Sequence, residues 1–150
     1  MSPASDAQRA LVIAEARSWL RTPYHPMARG KGLGADCATL PAEVYAACGL
    51  IPPQDIGPYP PDWHLHHSED RYLAQVLAVA QPTEQPQPGD FALWRVGRCW
   101  AHGAILITPH RVVHAVQGQG VVEADLDNFS LSHSGGVPRP RRFFTLWPEA

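Results

Sequence analysis

The pattern of apolar positions predicts helices in the first part of the chain. Apolar residues from Ala10 to Leu20 recur at helical spacing, and Ser5 precedes them as a candidate N-cap. The same spacing predicts a second helix from about Cys37 to Ala47, ended by Gly49, and a third from about Ser68 to Ala80. The N-terminal half is therefore predicted to be helical.

The pattern changes at Phe91, where runs rich in β-branched and aromatic residues alternate with short turns. These runs predict five strands: Phe91–Val96, Trp100–Thr108, Arg111–Val116, Gly120–Ala124 and Arg141–Trp147. Helices followed by consecutive strands are typical of an α+β domain with helices packed on an antiparallel sheet. Because 150 residues suit one domain, we predict a single domain over 1–150.

Composition and charge exclude several classes of protein. The formal net charge is −2, with acidic and basic residues scattered, so no electrostatic feature indicates a nucleic-acid partner. No apolar run approaches the roughly 20 residues that a membrane span needs. The N-terminus lacks a basic patch followed by an apolar core, so we expect a protein made in the cytoplasm without a signal peptide and without a membrane span.

Three cysteines, an odd number without the spacing of a metal knuckle, indicate reduced thiols. Cys48 and Cys99 are predicted to be structural. Cys37 differs because it follows a glycine-rich loop and Asp36 at the start of the second helix, where unpaired N–H groups favour an anion. We expect an activated thiolate there, although Pro41 would allow the regular turn to begin only near Leu40. The simpler alternative is a small buried residue behind an N-cap.

Two histidines interrupt apolar strands, His102 and His114. A histidine in such a position costs desolvation unless it has a partner, so the pair suggests a base and an orienting group for the thiol. A hairpin centred on Thr108 would set the two rings opposite each other. A tight turn at Pro109 and His110 would instead need a bulge to bring them to one face.

A metal site is a competing interpretation of the segment 62–70, which is crowded with histidine and acidic residues. His64 and His66 could offer two nitrogens to zinc on an extended segment. No HExxH helix or cysteine pair supplies the remaining ligands, so we predict neither a metal nor another cofactor. The glycine-rich loop from Gly30 to Gly34 also lacks the ending of a phosphate-binding loop.

The ordered set of motifs resembles one family over nearly the whole chain. The matching features are Tyr24, the glycine-rich loop, Asp36-Cys37-x-x-Leu40, Pro88-Gly89-Asp90, His102-x-Ala104-Ile105 and Val113-His114-Ala115. Together they are similar to the NlpC family of papain-like cell-wall cysteine peptidases. The resemblance implies a papain-like α+β fold and hydrolysis of amide bonds in peptidoglycan stem peptides, often between D-glutamate and the diamino acid.

The same resemblance implies a role for each of four residues. Cys37 would be the nucleophile, His102 the general base and acid, and His114 the polar residue that orients the His102 ring. Tyr24 would assist the backbone N–H of Cys37 at the oxyanion site. No metal or cofactor is implied.

The Arg29–Cys37 loop and the segment from Pro61 to Leu73 look more like the bacteriophage and prophage branch of that family, whose members are associated with tail tips. This implies phage tail-tip partners and location in the virion, acting at the cell wall. Two alternatives share the same fold. One is a structural tail component with an idle thiol, and the other is a thiol acyltransferase that uses the same Cys-His pair.

Overall fold

The computed structural model of the chain describes residues 3–53, 71–129 and 132–148. Its helices are α1 (Pro3–Ser18), α2 (Thr39–Ala47) and α3 (Arg71–Val79). Two short hairpins are formed by β1 (Arg29–Gly30) with β2 (Gly34–Ala35) and by β8 (His133–Ser134) with β9 (Val137–Pro138). The remaining strands are β3 (Gln81–Thr83), β4 (Phe91–Val96), β5 (Cys99–Thr108), β6 (Arg111–Val116), β7 (Gly120–Asp125) and β10 (Arg141–Thr145).

These last six strands form one antiparallel sheet in the order β3-β10-β4-β5-β6-β7. The five predicted strands are confirmed to within two residues at each end. The sequence prediction missed β3, which pairs with β10 at the sheet edge. Because β3 is polar and mostly exposed, it carries no apolar alternation that would have identified it.

The predicted helices are confirmed with different boundaries. The first begins at Pro3, so Ser5 lies inside its first turn and is not the N-cap. The second begins at Thr39, two residues after Cys37, because Pro41 is then its third residue, where a missing N–H leaves no helical bond broken. The shorter α2 leaves Cys37 in the loop that leads into the helix.

The helices cover one face of the sheet, where most of the core lies. Val12 and Ala16 of α1, Val44 of α2 and Val76 of α3 are buried against inward-facing strand residues. A second cluster lies on the other face and is built from these strand and loop residues: Ala92, Trp94, Ala104, Leu106, Val112 and Leu126. Burial of large apolar side chains on both faces, worth about 1.5 to 3 kcal/mol each, stabilises the sheet.

Gly103 in β5 allows α3 to approach the sheet closely. A Cβ at this position would collide with the hydroxyl of Tyr72 and the ring of Phe91. The same Tyr72 hydroxyl donates a hydrogen bond to the backbone carbonyl of Cys37. The missing side chain at Gly103 therefore lets α3 hold the segment that precedes α2.

A buried ion pair joins α1 to the start of β4. Arg9 Nη1 lies 2.8 Å from Asp90 Oδ1 and also donates to the carbonyl of Pro88 at 3.0 Å. Asp90 Oδ2 accepts the N–H of Gln87 at 2.8 Å. The predicted Pro88-Gly89-Asp90 motif is therefore an anchor between a helix and the sheet.

Some sequence predictions concern residues outside the described ranges. They include the histidine-rich segment 62–70 and the start of the third helix at Ser68. Within the described ranges, no group of three or more His, Cys, Asp or Glu side chains is placed to hold a metal ion. No helix within those ranges is long and apolar enough to cross a membrane.

Candidate active site

Asp36 organises the backbone around the candidate nucleophile. Its Oδ1 accepts the N–H groups of Ala38 at 2.9 Å and Thr39 at 2.8 Å, while the Thr39 hydroxyl accepts the N–H of Asp36 at 2.8 Å. This is a reciprocal cap at the start of α2. The other carboxylate oxygen of Asp36, Oδ2, accepts the N–H of Met27 at 2.7 Å. The position of Cys37 is thus set by a buried carboxylate with several partners.

The Cys37 thiol lies against the backbone of β5. Its sulfur donates to the carbonyl of Ala101 at 3.3 Å, and the N–H of Gly103 is directed at the sulfur. The strand β6 pairs with β5 only at Ile105, Leu106 and Thr108. Between Ala101 and Gly103, β5 is therefore paired on the β4 side alone, and the thiol occupies the side left open by β6.

Burial raises the pKa of the Cys37 thiol to about 12, and the negative charge of Asp36 acts in the same direction. The N–H groups of Gly103 and Cys37 itself favour the thiolate but do not overcome these effects. The sequence prediction of a thiolate with a lowered pKa is therefore wrong for this structure. The first reason is the desolvation of the thiol. The second is that Asp36 takes the N–H groups at the start of α2 and adds a charge of the unfavourable sign.

We expect the alkylation of Cys37 by iodoacetamide to rise about tenfold per pH unit from pH 7 to pH 10 without a plateau, because only the thiolate reacts and its pKa is near 12. The rate is measured by mass spectrometry in a background with Cys48→Ala and Cys99→Ala. A plateau below pH 8 would contradict the raised pKa. The unfolded protein is the control, in which the same thiol should level off near its ordinary pKa.

The two predicted histidines lie on one face of the sheet, with His102 Nε2 2.8 Å from His114 Nδ1. Their strands are joined by a tight turn at Pro109 and His110, and a register shift between Leu106 and Thr108 compensates for it. The bulge alternative is therefore confirmed, and the hairpin centred on Thr108 is wrong. Ile105 pairs with Val113, so the two histidines are diagonal neighbours.

The environment of the histidine pair is apolar. The ring of Phe129 lies 5.8 Å from that of His102 and 4.6 Å from that of His114, measured between ring centres, and Trp94 lies 6.1 Å from His102. Burial lowers the pKa of His114 to about 4. The pKa of His102 is also well below its usual value, first because of burial and then because positive charge on Arg139, or on a protonated His114, disfavours the imidazolium. Both rings are neutral near pH 7, so one donates and the other accepts across the 2.8 Å contact.

Tyr24 lies beside the thiol. It forms a bridge with Ala35, just before Asp36, and packs on the core. Burial raises the pKa of Tyr24, and the charges of Cys37 and Asp36 raise it further. The phenol therefore stays protonated, as a hydrogen-bond donor, at neutral pH.

The Cys37 thiol and His102 meet at Ala101–Gly103 of β5, His114 contacts His102, and Tyr24 lies beside the thiol. The thiol contacts the backbone on both sides of His102, and the His102 ring contacts His114. In the part of the chain that is described, no hydrogen bond joins the thiol to the His102 ring. Cys48 and Cys99 are also free thiols.

Sequence analysis missed other groups at this site. They are the backbone of Ala101 and Gly103, the Tyr72 hydroxyl, the Phe129 ring and Arg139. A glycine inside an apolar strand is a signal of close backbone approach, so Gly103 was detectable. The others come from distant parts of the chain and carry no local signal.

Solved structures resemble this architecture. The NlpC/p60 domain of peptidoglycan hydrolase SagA superposes with a TM-score of 0.57 and 21% identity over 89% of this chain and 96% of that domain. NlpC1 of Trichomonas vaginalis gives a TM-score of 0.64 with 17% identity over 96% of this chain. The peptidoglycan hydrolase RipB of Mycobacterium tuberculosis gives 0.60 with 15% identity over 99% of this chain. The chain has the NlpC/p60 fold.

The NlpC/p60 fold confirms the papain-like α+β prediction. No protein-family model and no curated protein matches the sequence itself. This chain spans 45% of the Trichomonas vaginalis chain and 70% of RipB. At these identities the fold is what the likeness establishes.

Proposed function

We propose that the chain is a cysteine hydrolase that cleaves amide bonds in peptidoglycan stem peptides. The observation that carries this proposal is the meeting of the Cys37 thiol and the His102–His114 pair on the segment from Ala101 to Gly103 of β5. It is supported by the fold shared with SagA and RipB, which are described as peptidoglycan hydrolases. The proposed enzyme is one domain spanning 1–150.

The proposed reaction starts from a neutral thiol and a neutral imidazole. In the proposed tautomer, Nε2 of His102 carries the proton of the 2.8 Å contact with His114, which leaves the Nδ1 lone pair of His102 free to act as a base. The Cys37 sulfur turns from Ala101, adds to the amide carbon, and passes its proton to His102. The proton then goes to the leaving amine, the C–N bond breaks, and a thioester remains. Water, deprotonated by His102, hydrolyses the thioester to a carboxylic acid and the thiol.

Tyr24 and the backbone N–H of Cys37 are the proposed donors to the oxyanion. The tyrosine suits this task because its raised pKa keeps the hydroxyl protonated beside the thiol. Loss of one donor of this kind costs on the order of a hundredfold in rate.

We also propose a location at a phage or prophage tail tip in the virion, with tail-tip proteins as partners. This part of the proposal is supported by the sequence resemblance of the Arg29–Cys37 loop. An idle structural protein and a thiol acyltransferase are the other outcomes of the experiment below. Both would keep the fold described here.

The experiment compares His102→Ala with His114→Ala on a stem peptide. We expect His102→Ala to lower kcat by about 10⁴-fold, because it removes the base, and His114→Ala by about a hundredfold, because the base remains but is less well oriented. Products are identified by mass spectrometry, which also locates the bond that is cut. An amine acceptor is added in a parallel reaction to detect acyl transfer.

His110→Ala is the matched control, since this histidine is exposed on the turn between β5 and β6. It should keep full activity. Near wild-type activity of either buried-histidine variant would contradict the assigned roles. A wild-type protein that cleaves no stem peptide would be the idle tail component, and a product joined to the added amine would identify an acyltransferase.

A further inference from the structure

Arg139 has a buried nitrogen with no hydrogen-bond partner. Among the described residues, Arg139 Nε is the one buried side-chain nitrogen or oxygen without a hydrogen-bond partner. Leaving such a donor unpaired in a protein interior is costly, by about 1 to 3 kcal/mol or more for a charged group. By comparison, Arg9 is paired with Asp90 and Arg141 with Asp127. Within the described ranges, no carboxylate is placed to form an ion pair with Arg139 and nothing accepts a hydrogen bond from its Nε.

Arg139 lies near the candidate active site, and its positive charge acts on His102. The N–H of Arg139 donates to the carbonyl of Ser132 at 2.9 Å, and the N–H of Ser132 donates to the carbonyl of Phe129 at 3.0 Å. The Phe129 ring packs on both His102 and His114. Two backbone hydrogen bonds therefore tie Arg139 to the wall of the histidine pair.

Arg139 is also open to a ligand. Its side chain is only half-buried, although Nε is covered. A guanidinium is always charged and presents a planar fork of donors that matches a carboxylate. A carboxylate bound to the Nη groups would pair the charge of the guanidinium, while Nε stays covered by the protein.

We propose that Arg139 binds a substrate carboxylate next to the scissile amide, and thereby selects stem peptides with a free acid at that position. This inference rests on the proposed function, because it names a substrate group for the same site. Carboxylates are carried by both residues that flank the amide between D-glutamate and the diamino acid. Binding of either one would also offset the positive charge that lowers the pKa of His102.

The experiment uses three synthetic stem peptides. One has both carboxylates free, one has the glutamyl carboxylate converted to an amide, and one has the carboxylate of the diamino acid converted. For the wild type, one of the two conversions should lower kcat/KM by about tenfold to a hundredfold, which identifies the recognised group. In Arg139→Gln, kcat/KM for the peptide with both carboxylates free should fall by the same factor. For the peptide whose recognised carboxylate is an amide, kcat/KM should not change.

Arg139→Lys should recover part of the selectivity, since it keeps the charge without the fork. Arg95→Gln is the matched control, because it removes an exposed arginine from β4 and should leave selectivity unchanged. An equal loss on all three peptides in Arg139→Gln would overturn the proposal, because it would mean a structural role. Indifference of the wild type to both conversions would also overturn it.

A binding measurement separates this proposal from the proposed hydrolysis. Calorimetry measures the affinity of the same three peptides for Cys37→Ala and for the double variant Cys37→Ala/Arg139→Gln. This measurement does not require that either variant cleaves the peptide. Tighter binding of the free acid that disappears with Arg139 would support the carboxylate site even if the wild type cleaves nothing. Absence of binding, or equal binding by both variants, would overturn it.

Discussion

Replacing Cys37 by alanine should abolish stem-peptide hydrolysis, with a loss in kcat on the order of 10⁴-fold or more, while the fold is kept. The reason is that loss of a covalent nucleophile removes the whole two-step pathway. The thiol donates one hydrogen bond, to the carbonyl of Ala101, and the N–H of Gly103 is directed at the sulfur. Stability should therefore change by about 1 kcal/mol or less. The measurements are product release and denaturant unfolding.

Cys48→Ala is the control for this experiment, because it removes a partly buried thiol of the same chain away from the histidines. It should retain activity. Cleavage by Cys37→Ala at a rate near that of the wild type would exclude Cys37 as the nucleophile. Loss of cooperative unfolding in Cys37→Ala would mean that the thiol serves the fold, and activity alone would then not assign its role.

Replacing Asp90 by alanine should have the largest effect on stability, a loss of about 3 to 5 kcal/mol. Asp90 is 1% exposed and pairs with Arg9, which is 8% exposed. Removing the carboxylate leaves a buried guanidinium and the N–H of Gln87 without this partner. An uncompensated buried charge costs far more than a lost surface ion pair. Urea unfolding should show a lower midpoint with an unchanged slope.

Asp127→Ala is the matched control, since Asp127 forms an exposed pair with Arg141 and should cost about 1 kcal/mol or less. The double variant Arg9→Met/Asp90→Ala tests the cause, because it removes the buried charge as well. It should recover part of the stability lost in Asp90→Ala. Equal losses for Asp90→Ala and Asp127→Ala would contradict the role of the buried pair.

Local patterns determined the fold class and the candidate chemistry. The helical spacing of Ala10 to Leu20 and the apolar runs after Phe91 predicted an α+β domain correctly, because amphipathic periodicity reflects which face of each element is buried. The choice of His102 and His114 also came from local context, since a polar residue in an apolar strand needs a partner. That partner for His102 is His114, as the 2.8 Å contact confirms. Cys37 was chosen for its place after a glycine-rich loop at the start of a helix.

Only the tertiary structure decided how these residues meet. The bulge between Leu106 and Thr108 set the histidine register, and strand β3 formed because β10 was available as a partner. The pKa of Cys37 is raised, whereas its position at a helix start predicted a lowered pKa. Burial and the charge of Asp36 outweigh the backbone N–H groups that favour the thiolate. Backbone hydrogen bonds connect Arg139 to Ser132 and Ser132 to Phe129, whose ring packs against His102. Desolvation and long-range contacts depend on distant parts of the chain, so periodicity along the sequence does not contain them.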